Sequence, residues 1–339
     1  MYLGLWFNEF LDMSFAAREI AKSATRALGM IISKFKSLGG LSYVTFKKLY
    51  DSSVDSILKY AAGIWGHKEF KIINTVQNKA ARFILGVHKL FPNLASRGEL
   101  GWSSQLCKQK VEITRLWIRL TNMNSDRITK KVFKYNKTKA ISCKLKNWEN
   151  KAIDIFKSIG MEHVVEIEEC DTKTILTDCK NNLYQQDSIQ WHNDIFDDKA
   201  LVNGNKLRTY RCFKTELKLE NYVIVNVPLY KKKVFTLLRA GCLPLEIEKG
   251  RHKKPHAVPL NERLCNMCDS GVIEDERHFL MKCSLYNDIR ESMFQLMTVN
   301  NVDFNDMDEE DKFCHIMQCG SYMIFNSVFK MYQRRNLFL

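Results

Sequence analysis

Residues 264–283 read LCNMCDSGVIEDERHFLMKC, and no other stretch of the chain carries so specific a pattern. It places Cys265, Cys268, His278 and Cys283 in the spacing C-x2-C-x9-H-x4-C. Zn²⁺ has no geometric preference of its own, so four thiolate or imidazole donors can close a tetrahedron around it. Three cysteines and one histidine fill all four positions and leave none for an activated water. The spacing therefore predicts one structural zinc ion in a zinc knuckle, and not a catalytic metal.

Two other interpretations of these residues stay open at the level of sequence. Cysteine often serves as a small apolar core residue, so four unrelated buried side chains would give the same letters. His252 and His256, which flank Lys253-Lys254, are alternative histidine donors. The four-residue site is favoured because its spacing is harder to meet by chance than a single Cys pair.

Length and composition bound the class of protein. A chain of 339 residues with 45% apolar residues is long enough for a large core and for two or three domains. Its eleven cysteines are irregularly spaced, and no secretory signal opens the chain. These features predict free thiols in a reducing compartment, nuclear or cytoplasmic, for a protein that is not secreted. No run of about twenty apolar residues occurs, so no membrane span is expected.

Charge is unevenly distributed along a chain whose net charge is +14. Residues 127–151 carry +8, residues 162–198 carry −8, and residues 206–264 carry +9. Basic blocks attract phosphate backbones through counterion release, without reading a sequence. Solvated helix faces would give the same runs of charge, so charge alone does not decide between the two interpretations.

Apolar periodicity predicts a mainly α fold, in which a multi-helix region precedes a small zinc-knuckle module and C-terminal helices. Helices are expected over 14–35, from Ser42 through Leu58, and over 69–85, 105–120, 144–159, 174–195 and 230–239. Only short strands are expected, at residues 1–7 and, as the weakest assignment, at 218–227. Polar and turn residues near 124–145 and 198–206 suggest three regions, 1–124, 125–205 and 206–339.

Three patches of the sequence share a family likeness. The first is Tyr2-Leu3-Gly4 followed by Leu5-Trp6, and the last is the knuckle segment that runs from Arg239 to Arg290. Between them, LKYAAGIWG at 58–66 has a Y-x4-W step, and VQNKAAR at 76–82 has a QN-x3-R step. Together these patches resemble the C-terminal part of reverse transcriptases from non-LTR (LINE-type, Jockey-like) retrotransposons. The resemblance implies a polymerase thumb that opens with the YLG strand, followed by the zinc-knuckle segment.

The resemblance also implies what the chain lacks. In the family, the carboxylates that hold two Mg²⁺ ions belong to a palm with an (F/Y)-x-D-D turn, which precedes the YLG strand. This chain begins at that strand and has no such turn, so we expect a piece of a larger fold that performs no phosphoryl transfer by itself. Its adjacent carboxylates, Asp197-Asp198 and those at 308–311, lie in polar stretches and are predicted to be exposed. A palm-bearing polymerase chain is a possible partner.

Nucleic-acid binding is the predicted function, with single-stranded RNA or DNA as the partner. The candidate phosphate contacts are Lys231, Lys232, Lys233, Arg239, Arg251, Lys253, Lys254 and Arg263. Tyr230, Phe235 and Phe279 are candidate stacking platforms, although burial against the zinc site is favoured for Phe279. By resemblance to a thumb, a primer–template duplex would meet Lys34, Lys36, Lys47 and Lys48. The alternative function is a zinc-stapled helical scaffold that binds a protein through apolar surface.

Overall fold

A computed structural model describes residues 4–10, 12–143, 147–168, 171–198 and 205–338. The chain folds into two compact units, each assembled from segments that are separated in sequence. The first unit comprises 1–41, 45–80 and 103–190, and the second comprises 42–44, 81–102 and 191–339. This division differs from the three consecutive regions that the sequence suggested, since residues 103–190 belong with the N-terminal helices.

The predicted mainly α class is confirmed, since the described residues hold eighteen α-helices and no sheet. In chain order these are α1 (Met13–Ser37), α2 (Tyr43–Tyr50), α3 (Ser56–Leu58), α4 (Ala62–Trp65), α5 (Lys71–Leu85), α6 (Asn93–Leu100), α7 (Gln105–Thr121), α8 (Ile128–Cys143), α9 (Trp148–Ser158), α10 (His163–Glu166), α11 (Thr172–Phe196), α12 (Tyr210–Phe213), α13 (Asn221–Ile224), α14 (Leu229–Arg239), α15 (Glu246–Lys249), α16 (Asn287–Asn300), α17 (Glu309–Gln318) and α18 (Tyr322–Leu337). Tighter or wider helical turns cover Asp51–Asp55, Gly250–His252, Leu260–Glu262, His278–Lys282, Ser284–Tyr286 and Val302–Asp306.

The helices predicted from apolar periodicity are present, with ends shifted by a few residues. Helix α8 was not predicted and lies within 124–145, where a domain edge was expected. Helix α1 begins one residue before the predicted Ser14, because the carboxylate of Asp12 accepts a hydrogen bond from the Ser14 amide at 2.9 Å. Helix α7 begins after Ser104, whose hydroxyl accepts from the Cys107 amide at 3.0 Å. The predicted second helix is interrupted by the wide turn Asp51–Asp55.

The two predicted strands have different outcomes. Residues 1–3 of the N-terminal strand lie outside the described residues, and Leu5 occupies a single bridge position. The prediction of a strand over 218–227 is wrong, because Asn221–Ile224 forms a helical turn. Leu219 alone forms a β-bridge in this segment, with Leu100. Tyr222, Val223 and Val227 are buried, and burial on a helical turn produces the same local pattern as a strand.

The apolar residues of the first unit are buried along one face of α1 and in a separate core around α7. The buried stripe of α1 is rich in alanine, which allows this helix to approach α3 and the turn at Asp51–Asp55 closely. Trp117 of α7 is the centre of a second core, where its ring packs edge-on against Phe133 and Phe156 at centroid distances of 5.0 and 5.6 Å.

The second unit is organised around a fully buried arginine. The guanidinium of Arg239, on α14, donates to the carboxylate of Glu99 at 3.1 Å and to that of Glu220 at 2.9 Å. It lies over the ring of Phe213 with its central carbon 4.7 Å from the centroid. Removing one partner from such a buried ionic group costs several kcal/mol, about 3–5, so this network fixes α6, α13 and α14 to one another.

Candidate metal centre and basic cluster

The predicted zinc ligands lie on a short hairpin and the turn that follows it, all in the second unit. Leu264 pairs with Ile273 as an antiparallel bridge, and the Cys265 amide donates to the Val272 carbonyl at 2.8 Å. Within the turn of this hairpin, the Met267 amide donates to Cys265 Sγ at 3.4 Å, as expected where a C-x2-C turn folds back around a metal. Gly271 lies in the turn of the hairpin with φ of +64°, a backbone conformation that residues other than glycine rarely adopt.

The four donor atoms converge. One donor atom from each of Cys265, Cys268, His278 and Cys283 lies within 4.8 Å of every other. Cys265 Sγ is 4.0 Å from Cys283 Sγ, and Cys268 Sγ is 3.3 Å from His278 Nε2. A zinc ion with bonds of about 2.1–2.3 Å has tetrahedral edges of about 3.4–3.8 Å, and the two separations of 4.0 and 3.3 Å lie close to this range. The chain therefore has a possible metal-binding Cys3His group at the four predicted residues.

Burial sets the protonation of the donors. Burial raises the pKa of Cys265 to about 12 and raises that of Cys283, while burial lowers the pKa of His278. Partial burial raises the pKa of Cys268, but hydrogen bonds to Ser270 outweigh it and the pKa is lowered overall. The imidazole is therefore neutral at pH 7, as a ligand must be, and a bound metal would displace the thiol protons.

Buried charged side chains around the donors tie them to the rest of the second unit. Arg290 donates to the carbonyl of Cys283 at 2.7 Å and to that of Leu280 at 3.0 Å, which fixes the last ligand. Glu276, which is fully buried, accepts from Arg208 at 2.9 Å and from Thr209 at 2.7 Å. Phe279 is buried against Tyr286, as the favoured interpretation of that residue predicted.

Three residues predicted to meet nucleic acid are buried, so their assignment to an exposed surface is wrong. Arg239 is 0% exposed and is committed to Glu99 and Glu220. Arg263 is 3% exposed, and its guanidinium donates to the carbonyls of Val258 and Ile247 at 2.9 Å each. Phe235 is fully buried and cannot stack on a base. The presence of an arginine in the sequence does not show whether it contacts a phosphate or forms a buried structural contact.

The other predicted lysines on α14 point in different directions. Lys231 donates to Asn326 at 2.8 Å, and Lys232 donates to the Val223 carbonyl at 2.7 Å. Lys233 is exposed, as is Tyr230, although the Tyr230 ring packs near Phe329 at 5.0 Å. These residues therefore do not form one continuous basic stripe.

Exposure of the remaining predicted contacts is mostly as expected. Lys253, Lys254, His252 and His256 are exposed, and the two histidines are not part of the group of four donors. In the first unit, Lys34, Lys36 and Lys48 are exposed, whereas Lys47 pairs with Asp51 at 2.5 Å. The adjacent carboxylates at 197–198 and 308–311 are exposed, as predicted.

A basic cluster surrounds one carboxylate of the second unit, and little in the sequence pattern indicated it. The Glu248 carboxylate forms salt bridges with Lys206 at 2.5 Å and with Arg251 at 3.2 Å, and it lies 3.3 Å from His252 Nε2. Nearby, burial lowers the pKa of His88, and the charges of Lys206, Lys233 and Arg82 lower it further. We refer to Arg82, His88, Lys206, Lys233, Arg251 and His252 as the basic cluster. Lys233 and Arg251 are its two predicted members, and folding over long sequence distances brings in the others.

Comparison of the chain with protein-family models, with curated proteins and with solved structures finds no match in any of the three. Within the described ranges, every helix is too short or too polar to cross a lipid bilayer.

Proposed function

We propose that the chain binds single-stranded RNA or DNA through the basic cluster, as a zinc-stabilised part of a retrotransposon-type reverse transcriptase. The observation that carries the proposal is the convergence of Lys206, Arg251 and His252 on Glu248, with Lys233 and Arg82 close by. Lys206, Lys233 and Arg82 carry three positive charges against the single negative charge of Glu248, so the cluster keeps an excess of positive charge. A phosphate backbone can supply the missing anions.

The metal centre supports this proposal by fixing the segment that bears the cluster. The Ile247 amide donates to the carbonyl of Glu274 at 3.1 Å, and the Glu246 amide donates to the Glu274 carboxylate at 2.7 Å. Glu274 follows the metal hairpin directly, so the hairpin anchors α15, and α15 carries Glu248. Binding of structural zinc to such short segments is worth about 10–16 kcal/mol of folding free energy. Loss of zinc should therefore weaken nucleic-acid binding as well as stability.

Filter binding with a uniform single-stranded RNA tests the proposal. Affinity should fall steeply between about 50 and 200 mM salt, because each neutralised phosphate contributes about 0.7 to the slope of log K against log salt. The double variant Lys206→Gln/Lys233→Gln should reduce that slope by about 1 to 1.5. Lys173→Gln/Lys180→Gln, which removes the same charge from exposed positions of α11, is the matched control and should bind like the unaltered chain. Absence of binding at 50 mM salt, or equal loss in the two variants, would refute the proposal.

A second candidate function is a zinc-stapled scaffold for another protein. The burial of Arg239 and Arg263 favours it, because two side chains predicted to meet phosphates instead hold the fold together. A scaffold would bind its partner through apolar surface, so its affinity would change little with salt. The salt series therefore separates the two functions.

Catalysis by this chain alone is not part of the proposal. The family's palm carboxylates have no counterpart in this sequence, and its own adjacent carboxylates are exposed at 197–198 and 308–311. Primer extension with the purified chain should give no product, and product should appear only when a palm-bearing polymerase chain is added. A reducing nuclear or cytoplasmic compartment is the proposed location, because three of the four metal donors are thiols that must stay reduced.

A further inference from the structure

A second candidate site lies in the first unit and shares no residue with the metal centre or the basic cluster. It is a cavity of about 720 Å³ that opens between the start of α1, α4, α7 and the start of α9. Small-molecule sites occupy about 300–1,000 Å³, so its size suits a ligand larger than a simple ion. Its lining combines an apolar wall with two lysines, and both parts are formed by ordered helices or by the residues beside them.

Trp148 dominates the apolar wall. Its Nε1 donates to the Gly63 carbonyl at 2.7 Å, and its ring stacks on Trp117 with centroids 6.1 Å apart and planes at 28°. These contacts hold the indole in one orientation while leaving it partly exposed to the cavity. Ile64, which is 44% exposed, and Leu116 continue the wall. A held aromatic ring beside aliphatic side chains provides a surface on which a flat base can stack.

Two lysines, Lys68 and Lys151, line the polar side of the cavity. Lys151 Nζ lies 3.1 Å from His67 Nε2, so the ammonium donates to a neutral imidazole. Burial lowers the pKa of His67 to about 4, and the charges of Lys151 and Lys68 contribute to this shift. Within the described part of the chain, no carboxylate forms an ion pair with Lys68 or Lys151.

Two carboxylates also line the cavity, and both bear on its charge. Hydrogen bonds from Ser14, whose amide Asp12 caps at the start of α1, lower the pKa of the Asp12 carboxyl, and the charge of Lys68 lowers it further. Glu149 is 6% exposed, so most of its side chain is covered by protein. The lysine ammonium groups are exposed, which leaves them available to an anionic group of a ligand.

We infer that this cavity binds a nucleotide unit, with the base against Trp148 and Ile64 and the phosphate between Lys68 and Lys151. The same chemistry has two sources, a free nucleoside 5′-monophosphate or one nucleotide of a single-stranded nucleic acid. Either source requires both halves of the site, because inorganic phosphate has no base and an uncharged nucleoside has no anion. None of the residues that line this cavity belongs to the basic cluster, which lies in the second unit.

Fluorescence titration with AMP and with a four-nucleotide DNA strand tests the site. Both probes should quench tryptophan emission saturably, and Trp148→Phe should remove most of the change. Lys151→Gln should weaken binding about tenfold, the usual effect of one lost charge-assisted hydrogen bond. Lys157→Gln removes an exposed lysine from the same helix outside the cavity and should bind like the unaltered chain. Melting temperatures of all variants identify any that fail to fold.

The relative affinities of the two probes distinguish nucleic acid from free nucleotide as the ligand. Tighter binding of the four-nucleotide strand than of AMP assigns the site to nucleic acid, and equal or tighter binding of AMP assigns it to free nucleotides. No saturable change with either probe up to about 5 mM would overturn the inference, and so would displacement by equally low concentrations of inorganic phosphate. Equal loss in Lys151→Gln and Lys157→Gln would also overturn it. Lys206→Gln/Lys233→Gln should leave AMP binding unchanged, so failure here and failure of the proposed function are distinguishable.

Discussion

The guanidinium of Arg335, near the end of α18, donates to both carboxylate oxygens of Glu274, at 2.8 and 2.7 Å. Both side chains are buried, and Glu274 lies four residues before the metal donor His278. The Glu274 carboxylate also accepts from the Glu246 amide at 2.7 Å. One buried ion pair therefore connects the metal hairpin, α15 and the C-terminal helix.

Breaking this pair should destabilise the chain strongly. Arg335→Met leaves the carboxylate of Glu274 buried without its charged partner, which costs about 3–5 kcal/mol in comparable sites. Urea unfolding followed by circular dichroism measures the change. Arg334→Met is the matched control, because the adjacent Arg334 forms an exposed pair with Asp288 and should change stability little. Equal midpoints for the two variants would contradict the structural role given to Arg335.

Acid should weaken the first unit through Asp55. Burial raises the pKa of this carboxyl, but the charge and hydrogen bonds of Lys108, together with Gln105 and Lys59, lower it to about 2. Since the folded pKa lies below the unfolded value of about 3.9, the unfolded state takes up the proton first as the pH falls. A contribution of about 2 kcal/mol is therefore present above pH ~4 and is lost between about pH 4 and pH 2.

Stability measured against pH for Asp55→Asn checks this expectation. The variant should be less stable at pH 7, and its stability should depend less on pH between about 4 and 2. Asp51→Asn, at an exposed position beside Lys47, serves as the control. If the two variants had the same pH profile, the ionised state assigned to Asp55 would be wrong.

His67 should produce a second and separate pH dependence. Its folded pKa of about 4 lies below the unfolded value of about 6.5, so the unfolded state binds the proton first in this interval. The stability that comes from keeping His67 neutral is fully present above pH ~6.5 and is lost as the pH falls toward 4. His67→Gln should reduce the dependence of the melting temperature on pH in this interval. His163→Gln, at an exposed position, should leave that dependence unchanged. An NMR titration that gave His67 a pKa near 6.5 would contradict the burial described for it.

Helices and metal donors could be predicted because their signals are local. Apolar residues at helical spacing located α5 and α7, and the C-x2-C-x9-H-x4-C spacing selected four residues whose donor atoms converge. In such cases the sequence distance is short enough for backbone geometry to fix which side chains meet.

The partners of buried charges could not be predicted in the same way. Arg239 pairs with Glu99, which lies 140 residues away, and no local pattern identifies that partner. Similarly, Lys206 and His88 meet only after folding, so the basic cluster was not visible in the runs of charge. The helical turn at Asn221–Ile224 was misassigned because a short apolar run fits a strand and a buried turn equally well.

The zinc site at Cys265, Cys268, His278 and Cys283 is tested by metal analysis of the purified chain. We expect one zinc per chain, released when the thiols are modified, and a fall of many degrees in melting temperature after chelation. Cys265→Ser should bind no zinc and melt early, whereas Cys143→Ser, at an exposed position outside the four donors, should retain both the zinc and the stability. A chain that holds no metal, and whose melting temperature is the same with Cys265 or Ser at this position, would contradict the account.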